Sequence, residues 1–408
     1  MKTFTAWQYL LMEAATQHSQ GKETFETRIQ WAKDNLHHLE SLQDTAEEPA
    51  LYAVAVMAIR KVQAGKPIGT LVSMDAVCSG LQLMSVLSGD LNAARMTGLV
   101  DSNRRPDAYT DMTGAMNKLL QKAGMAHVAV SRGEAKEAVM TAFYASTAVP
   151  KRIFGEGTQE LDVFYKSLEQ EAPGPWALVK ILVKAWNPKA TAHCWVMPDG
   201  FEAVVPVEVM DTARIEVEEL DGTSFTYRYA QVAPLKKGLS LAANVVHSVD
   251  AYVARCMHRR LNYNPWQFKA WEARITETLL ERVLGTSHDL YEKSHTFLSG
   301  WLHTGLVDVN ILDYAKIEQL PTDMLQRLLK ILHRSLADFP VQLVTVHDDY
   351  KCHPNGMNRV REEYKEILGE IADADLMEDL LEQLGVPGYK KLSRSMGNII
   401  RSSSYALT

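Results

Sequence analysis

Two apolar runs in this chain stop on an acid. "IGTLVSMD" (68–75) ends at Asp75, and "VQLVTVHDDYKCHP" (341–354) runs through six residues before meeting His347, Asp348 and Asp349. Each reads as a short, buried strand ending on a carboxylate. Two carboxylates delivered by separate strands can hold a pair of magnesium ions, which activate an attacking hydroxyl and steady a leaving pyrophosphate. That is the chemistry a polymerase needs. A strand that merely meets solvent can also end on acids, so the pair alone does not decide.

Between the two runs lies "SRGEAKEAVMTAFYAS" (131–146), which reads as a helix capped by Ser131. At about 100° per residue, Arg132, Lys136 and Tyr144 fall within roughly a 120° arc of such a helix. The cations suit a triphosphate, and the tyrosine can stack on or hydrogen-bond a sugar and base. A surface helix with a core tyrosine would show the same spacing.

The surrounding text supplies elements to carry these residues. "FETRIQWAKDNLHHLESL" and "EPALYAVAVMAIRKVQAG" have helical spacing, and Gly65 and Pro67 break the pattern before the first strand. Helical text resumes in "GLQLMSVLSGDLNAARMTGL" and "DAYTDMTGAMNKLLQKAG". From 192 to 233 two stretches alternate, each with an Asp-Gly turn, which predicts two β-hairpins. Helices dominate again from 240 to about 337, and helical text follows the second strand up to a serine-rich tail. The fold class is α+β, mostly helical.

At 408 residues, two or more lobes are expected. The four cysteines (Cys78, Cys194, Cys256, Cys352) are scattered, which argues against a zinc site or a disulfide framework and fits a reducing cytosol. Neither a signal peptide nor a membrane span is expected. A net charge of −7 opposes nucleic-acid binding in bulk. Basic residues nevertheless gather in "SNRRP" (102–106), "PKRIF" (150–154), "RCMHRRLNYNPWQFKAW" (255–271) and "YKKLSRS" (389–395). Such clusters either grip phosphates or face solvent.

"DAVCSGLQLMS" (75–85), "RGEAKEAVMTAFYAS" (132–146) and "VTVHDDY" (344–350) resemble, in order, motifs A, B and C of the single-subunit RNA polymerases of bacteriophages and mitochondria. "DAYTDM", "WVMPDGF" and "NVVHSVDAYVAR" resemble family text as well, so the likeness runs along nearly the whole chain. It most resembles the larger, catalytic subunit of the split, two-subunit RNA polymerases of N-four-like bacteriophages. The resemblance implies a right-hand polymerase. Residues 1–95 would be the first part of the palm with motif A, and 96–337 the fingers with motif B and the hairpins. Residues 338–408 would be the second part of the palm with motif C and a C-terminal tail. It further implies DNA-directed RNA synthesis for phage transcription, in the cytoplasm of an infected bacterium.

Residue by residue, the resemblance implies that Asp75 and Asp348 hold two Mg2+ ions, with the Ala76 carbonyl as an extra ligand. Lys136 and Arg132 would meet the triphosphate, Lys136 also protonating pyrophosphate. Tyr144 would select ribose with His247 as its partner, and His347 would flank the second aspartate. Four departures stand out. Ala145 replaces a usual glycine, Asp349 is acidic where the family is not, and Leu11 holds the register of an expected lysine. The Asp-x-x-Gly-Arg motif that the family carries before motif A has no counterpart here, and the thumb and N-terminal domain are expected to be absent. A second polypeptide is therefore expected to supply them, alongside DNA template, RNA product and ribonucleoside triphosphates. The second hairpin presents Glu216, Glu218, Glu219 and Asp221, which suits duplex reading poorly and suggests a recruiting, single-stranded-DNA-binding factor. A family-A-like DNA polymerase would usually carry a glutamate shortly after the first aspartate, where "AVCSGLQ" has Gln82 and no acid. A non-catalytic scaffold subunit is the remaining alternative; a His-Asp phosphohydrolase, whose site is built on helices, fits poorly.

Overall fold

The computed structural model describes residues 2–102, 104–125, 127–286 and 296–408. Part of the helical stretch expected between 240 and 337 thus lies outside the described residues. No helix among the described residues is long and apolar enough to cross a membrane.

Three N-terminal helices form the first layer: α1 (Ala6–Ala15), α2 (Phe25–Asp34) and α3 (Pro49–Gln63). Thr5 and Gln8 close a capping box at the start of α1, and Thr24 caps α2. Strand β1 (Val72–Asp75) follows, and then α4 (Ser79–Ser88), whose residues from Gly80 onward are all buried. Gly89 ends α4 in the left-handed region, so the expected single helical stretch is split and α5 (Leu91–Met96) starts afresh, capped by Asp90. A helical array comes next: α6 (Ala108–Lys122), α7 (Arg132–Ala142), α8 (Ala148–Phe154), α9 (Gln159–Glu171) and α10 (Pro173–Lys184).

Both hairpins are present where the Asp-Gly pairs predict them. Strands β2 (Ala192–Val196) and β3 (Glu202–Pro206) pair antiparallel, as do β4 (Glu208–Val217) and β5 (Thr223–Val232). The β4–β5 connection spans 218–222, a 3-10 turn followed by Asp221 and Gly222, both with positive φ. The β4–β5 ribbon is largely exposed, and its four acids crowd the tip.

The long helix α11 (Ser240–Leu261) precedes α12 (Pro265–Val283), α13 (Thr296–Thr304) and α14 (Thr322–Leu336). Apolar side chains from 263–275 and 298–332, among them Phe268, Ile275, Leu325 and Leu328, build a second hydrophobic core. The remaining elements, apart from the exposed β4–β5 ribbon, share one larger core.

Strands β6 (Val344–Val346) and β7 (Asp349–Cys352) join β1 in an antiparallel sheet of order β1-β7-β6. The apolar run 341–346 therefore does not bury its whole length, as its composition suggests. Val344 and Val346 are 47% and 52% exposed on an edge strand, while Tyr350 and Cys352 of the return strand carry the burial. Helices α15 (Met357–Asp373), α16 (Leu376–Gln383) and α17 (Gly397–Ser402) complete the chain, and its last residues run beside β1, with Ala76 bridged to Leu407.

Candidate nucleotide-binding and catalytic site

Asp75 is the last residue of β1, and His347-Asp348 form the two-residue loop between β6 and β7. His347 takes φ +56°, as the first position of a primed hairpin turn does. The register sets Asp75 opposite Asp349, and the Ala76 amide donates to the Asp348 carbonyl at 3.2 Å. One sheet thus brings the ends of both acid-terminated runs to the same edge.

A cavity of about 640 Å³ opens there. Asp75, Ala76, Arg132, Lys136, Tyr144, His247, His347 and Asp348 all line it. They come from β1, α7 and the turn after it, α11 and the β6–β7 loop, so the fold gathers every candidate residue to one place.

Helix α7 starts at Arg132 under a capping box of Ser131 and Glu134. It ends at Ala142, so Tyr144 lies on a turn beyond the helix rather than on the shared helical arc expected from spacing. Ala145 has φ +64°, which explains why glycine suits this position: the left-handed region is costly for a residue with a Cβ. Two further non-glycine residues with positive φ, Cys78 and His347, line the cavity itself.

The cavity has a cationic wall. Arg132 Nε donates to Asp107 Oδ2 at 2.7 Å, and Asp107 in turn caps α6. Against its burial, the hydrogen bonds from Arg132 and Thr110 hold Asp107 below the usual carboxylate range. The Tyr109 ring lies 5.5 Å from the Arg132 guanidinium carbon and 5.9 Å from Lys136 Nζ, a shared platform for both cations. Arg105 and Lys22 also reach the cavity. Lys22 follows α1, so a lysine arrives from the N-terminal region although Leu11 itself is fully buried.

The opposite chemistry surrounds the sheet edge. Burial pushes the Asp75 carboxyl up, and the charges of Asp348 and Asp349 add to this, reaching about 7. The side chain keeps contact with solvent through the cavity mouth. Asp250, one helical turn after His247 on α11, is likewise raised to about 6 by burial and by Asp348. Burial pushes Tyr144 up to about 12, with the Ser79 side chain opposing the shift, and the ring centroid of Tyr144 is 5.0 Å from that of His247.

Asp349 does not line the cavity. Its carboxylate is hydrogen-bonded by the Ser73 hydroxyl and lies 3.2 Å from Lys351 Nζ. It ties β7 to β1. Gln82 is also structural: it is fully buried, its amide donates to Thr97 and Ala406 carbonyls, and it accepts from the Tyr364 hydroxyl at 2.6 Å.

Sequence reasoning passed over Lys22, Arg105, Tyr109 and Asp250. Asp250 carried a signal, since it sits three residues after His247 on one helix. Arg105 stood inside a basic cluster and Tyr109 inside "DAYTDM", yet nothing in their spacing pointed to a shared cavity. The other basic clusters are largely engaged in ion pairs. Arg255 and Arg259 pair with Asp199, Arg260 with Asp308 and Glu370, Arg152 with Glu137, and Arg394 with Asp375.

Residues 3–154 match the model of the family described as DNA-dependent RNA polymerase. That span includes Asp75, Ala76, Arg132, Lys136 and Tyr144, while His247, His347 and Asp348 fall beyond it. A protein named "Probable DNA-directed RNA polymerase" from Gelasinospora sp. (strain G114) is 25% identical over 141 residues, which is 31% of this chain. The chain covers only 17% of that relative's length. The part of the chain that carries the cationic helix and the first acid-ended strand is thus similar to the DNA-dependent RNA polymerases.

Proposed function

We propose that this chain is the catalytic palm-and-fingers part of a DNA-directed RNA polymerase and adds ribonucleotides to a 3′-hydroxyl. The observation that carries the reading is the convergence on one cavity of residues drawn from four separate stretches between Asp75 and Asp348. The match of residues 3–154 to the polymerase family supports it.

In this reading the triphosphate lies against the cationic wall. Asp107 fixes the Arg132 guanidinium, and Tyr109 backs both Arg132 and Lys136, so the two cations meet phosphate oxygens already oriented. The 3′-hydroxyl oxygen forms a bond to the α-phosphorus as the bond to the bridging oxygen breaks. Pyrophosphate leaves with a proton from Lys136, and the hydroxyl proton passes to water. Tyr144 and His247 face the sugar.

The donor set fits magnesium. Asp75 and Asp348 offer hard carboxylate oxygens beside the Ala76 carbonyl, and the raised Asp75 would be eased into its ionised form by a neighbouring dication. Among the described residues no group of three or more His, Cys, Asp or Glu side chains could hold an ion alone. Substrate phosphate and water would complete the shell, as is usual for this ion. When bound, two Mg2+ ions would supply charge neutralisation at the attacking and leaving oxygens.

The finer placement is among the split, two-subunit polymerases of N-four-like bacteriophages, acting in the cytoplasm of the infected bacterium. A second polypeptide would supply the thumb, the N-terminal domain and the arginine-bearing motif. The acidic tip of the β4–β5 hairpin supports recruitment through a single-stranded-DNA-binding factor rather than duplex reading. The reading is tested by primer extension on a DNA template with the complex co-purified from its host. Ribonucleotides should be preferred over deoxyribonucleotides, and Tyr144→Phe should relax the preference; a deoxyribonucleotide preference in the wild type would contradict the assignment.

A further inference from the structure

We propose that Arg105 is a further phosphate-binding residue of this site, gripping the triphosphate of the incoming nucleotide beside Arg132 and Lys136. The proposal rests on the nucleotide-addition reading above and adds a cation from outside the acid-ended strands and α7.

Arg105 joins the two sides of the cavity. Its Nη2 donates to the Thr408 hydroxyl at 2.8 Å. Thr408 is in turn paired with Asp75 through both backbone groups: its amide donates to the Asp75 carbonyl at 2.9 Å, and its carbonyl accepts from the Asp75 amide at 3.2 Å. The guanidinium is therefore tied to the end of β1, beside the first acid, while it lines the same cavity as Arg132 and Lys136.

What it lacks is a counter-ion. Among the described residues the Thr408 contact is its one hydrogen bond, it enters no ion pair, and its Nε is buried without a partner. Arg28, Arg260 and Arg361 are buried too, yet each is held by three or more hydrogen bonds. Asp107 cannot fill the gap, because its carboxylate is committed to Arg132 at 2.7 Å. Burial lowers the Arg105 pKa; Asp107 and Asp75 oppose the shift, and the like charge of Arg132 adds to it. A guanidinium nevertheless stays charged. Leaving such a cation buried, unpaired and near a second cation is costly, and an anion bound between them relieves both costs. Its planar fork of donors suits phosphate oxygens. Arg132 and Lys136 already face the triphosphate in this reading, so the phosphates that complete their wall complete Arg105 as well.

The test follows ribonucleotide addition by the polymerase complex that contains this chain, on a primed DNA template. Arg105→Gln should raise KM for ribonucleoside triphosphates about tenfold, with most of the loss in KM rather than kcat. Inhibition by inorganic pyrophosphate should weaken by a similar factor. Arg105→Lys keeps the charge without the fork and should raise KM roughly threefold. A purely structural arginine would show in stability instead. Here the urea midpoint of Arg105→Gln should stay level or rise, because the cation removed is unpaired. An active wild type whose KM and pyrophosphate inhibition both survive Arg105→Gln overturns this proposal alone. So does a rise confined to the KM for primed template, which would give Arg105 to a phosphodiester of the growing strand. Should Arg105→Gln fail to assemble, an unchanged KM in Arg105→Lys overturns it equally. A wild-type complex that adds no nucleotide overturns the underlying reading and this proposal with it.

Discussion

At neutral pH the Asp75 carboxyl stands near the midpoint of its titration, because burial and the charges of Asp348 and Asp349 raise it to about 7. A carboxyl raised above its unfolded value contributes stability that is fully present below about 3.8 and is lost as pH rises through about 7. Asp75→Asn cannot ionise. Without divalent cations it should therefore raise the urea midpoint over the wild type more at pH 8 than at pH 5. Ala145 offers a second single-residue test. Its φ of +64° strains a residue with a Cβ, so Ala145→Gly should stabilise the chain by about 1 kcal/mol in chemical denaturation. Residue types and motif order were enough to pick out eight side chains that share a cavity. Tyr144 reaches the cavity by a route its spacing did not show, since α7 stops at Ala142 and the tyrosine sits in the turn that follows. Asp250 and Tyr109 escaped because contact across elements leaves no trace in local spacing.

Elements were legible where local chemistry dictates them. The Asp-Gly turns gave both hairpins, and Ser131 gave the start of α7, where the structure adds Glu134 to complete a capping box. Periodicity could not tell an edge strand from a central one, so the exposure of Val344 and Val346 was not foreseen. Nor could composition show that the arginines of α11 point into the protein. Arg260 is fully buried, its Nε bonded to Asp308 at 2.8 Å and its two terminal nitrogens to Glu370 at 3.0 Å each. This network locks α11 to α15 and so fixes the helix that carries His247 and Asp250. Arg260→Ala would remove the buried cation between Asp308 and Glu370, leaving Asp308 to Arg259 and Glu370 to Arg327. It should cost about 3–5 kcal/mol of stability, read from urea unfolding. An unchanged midpoint would mean that α11 is held by its apolar contacts alone.

On the scale of the whole molecule, the chain carries a net negative charge, and the cavity gathers a cationic wall of Arg105, Arg132 and Lys136. A net charge of −7 opposes a phosphate backbone, and the arginines of α11 are taken up in ion pairs with Asp199, Asp308 and Glu370. The chain alone should bind duplex DNA no tighter than about 1 μM near physiological salt, and what binding exists should fall steeply with added salt in fluorescence anisotropy. The second core, built from side chains of 263–275 and 298–332, was hidden in the sequence, because its helices share the texture of those on either side. The central claim is that Asp348, at the tip of the β6–β7 loop, and Asp75, at the end of β1, serve one nucleotidyl-transfer centre. It is tested most directly by templated ribonucleotide addition in magnesium, comparing complexes that carry wild-type chain or Asp348→Asn. The account predicts intact assembly and a rate lower by about a thousandfold or more; a variant complex that extends RNA at the wild-type rate would contradict it.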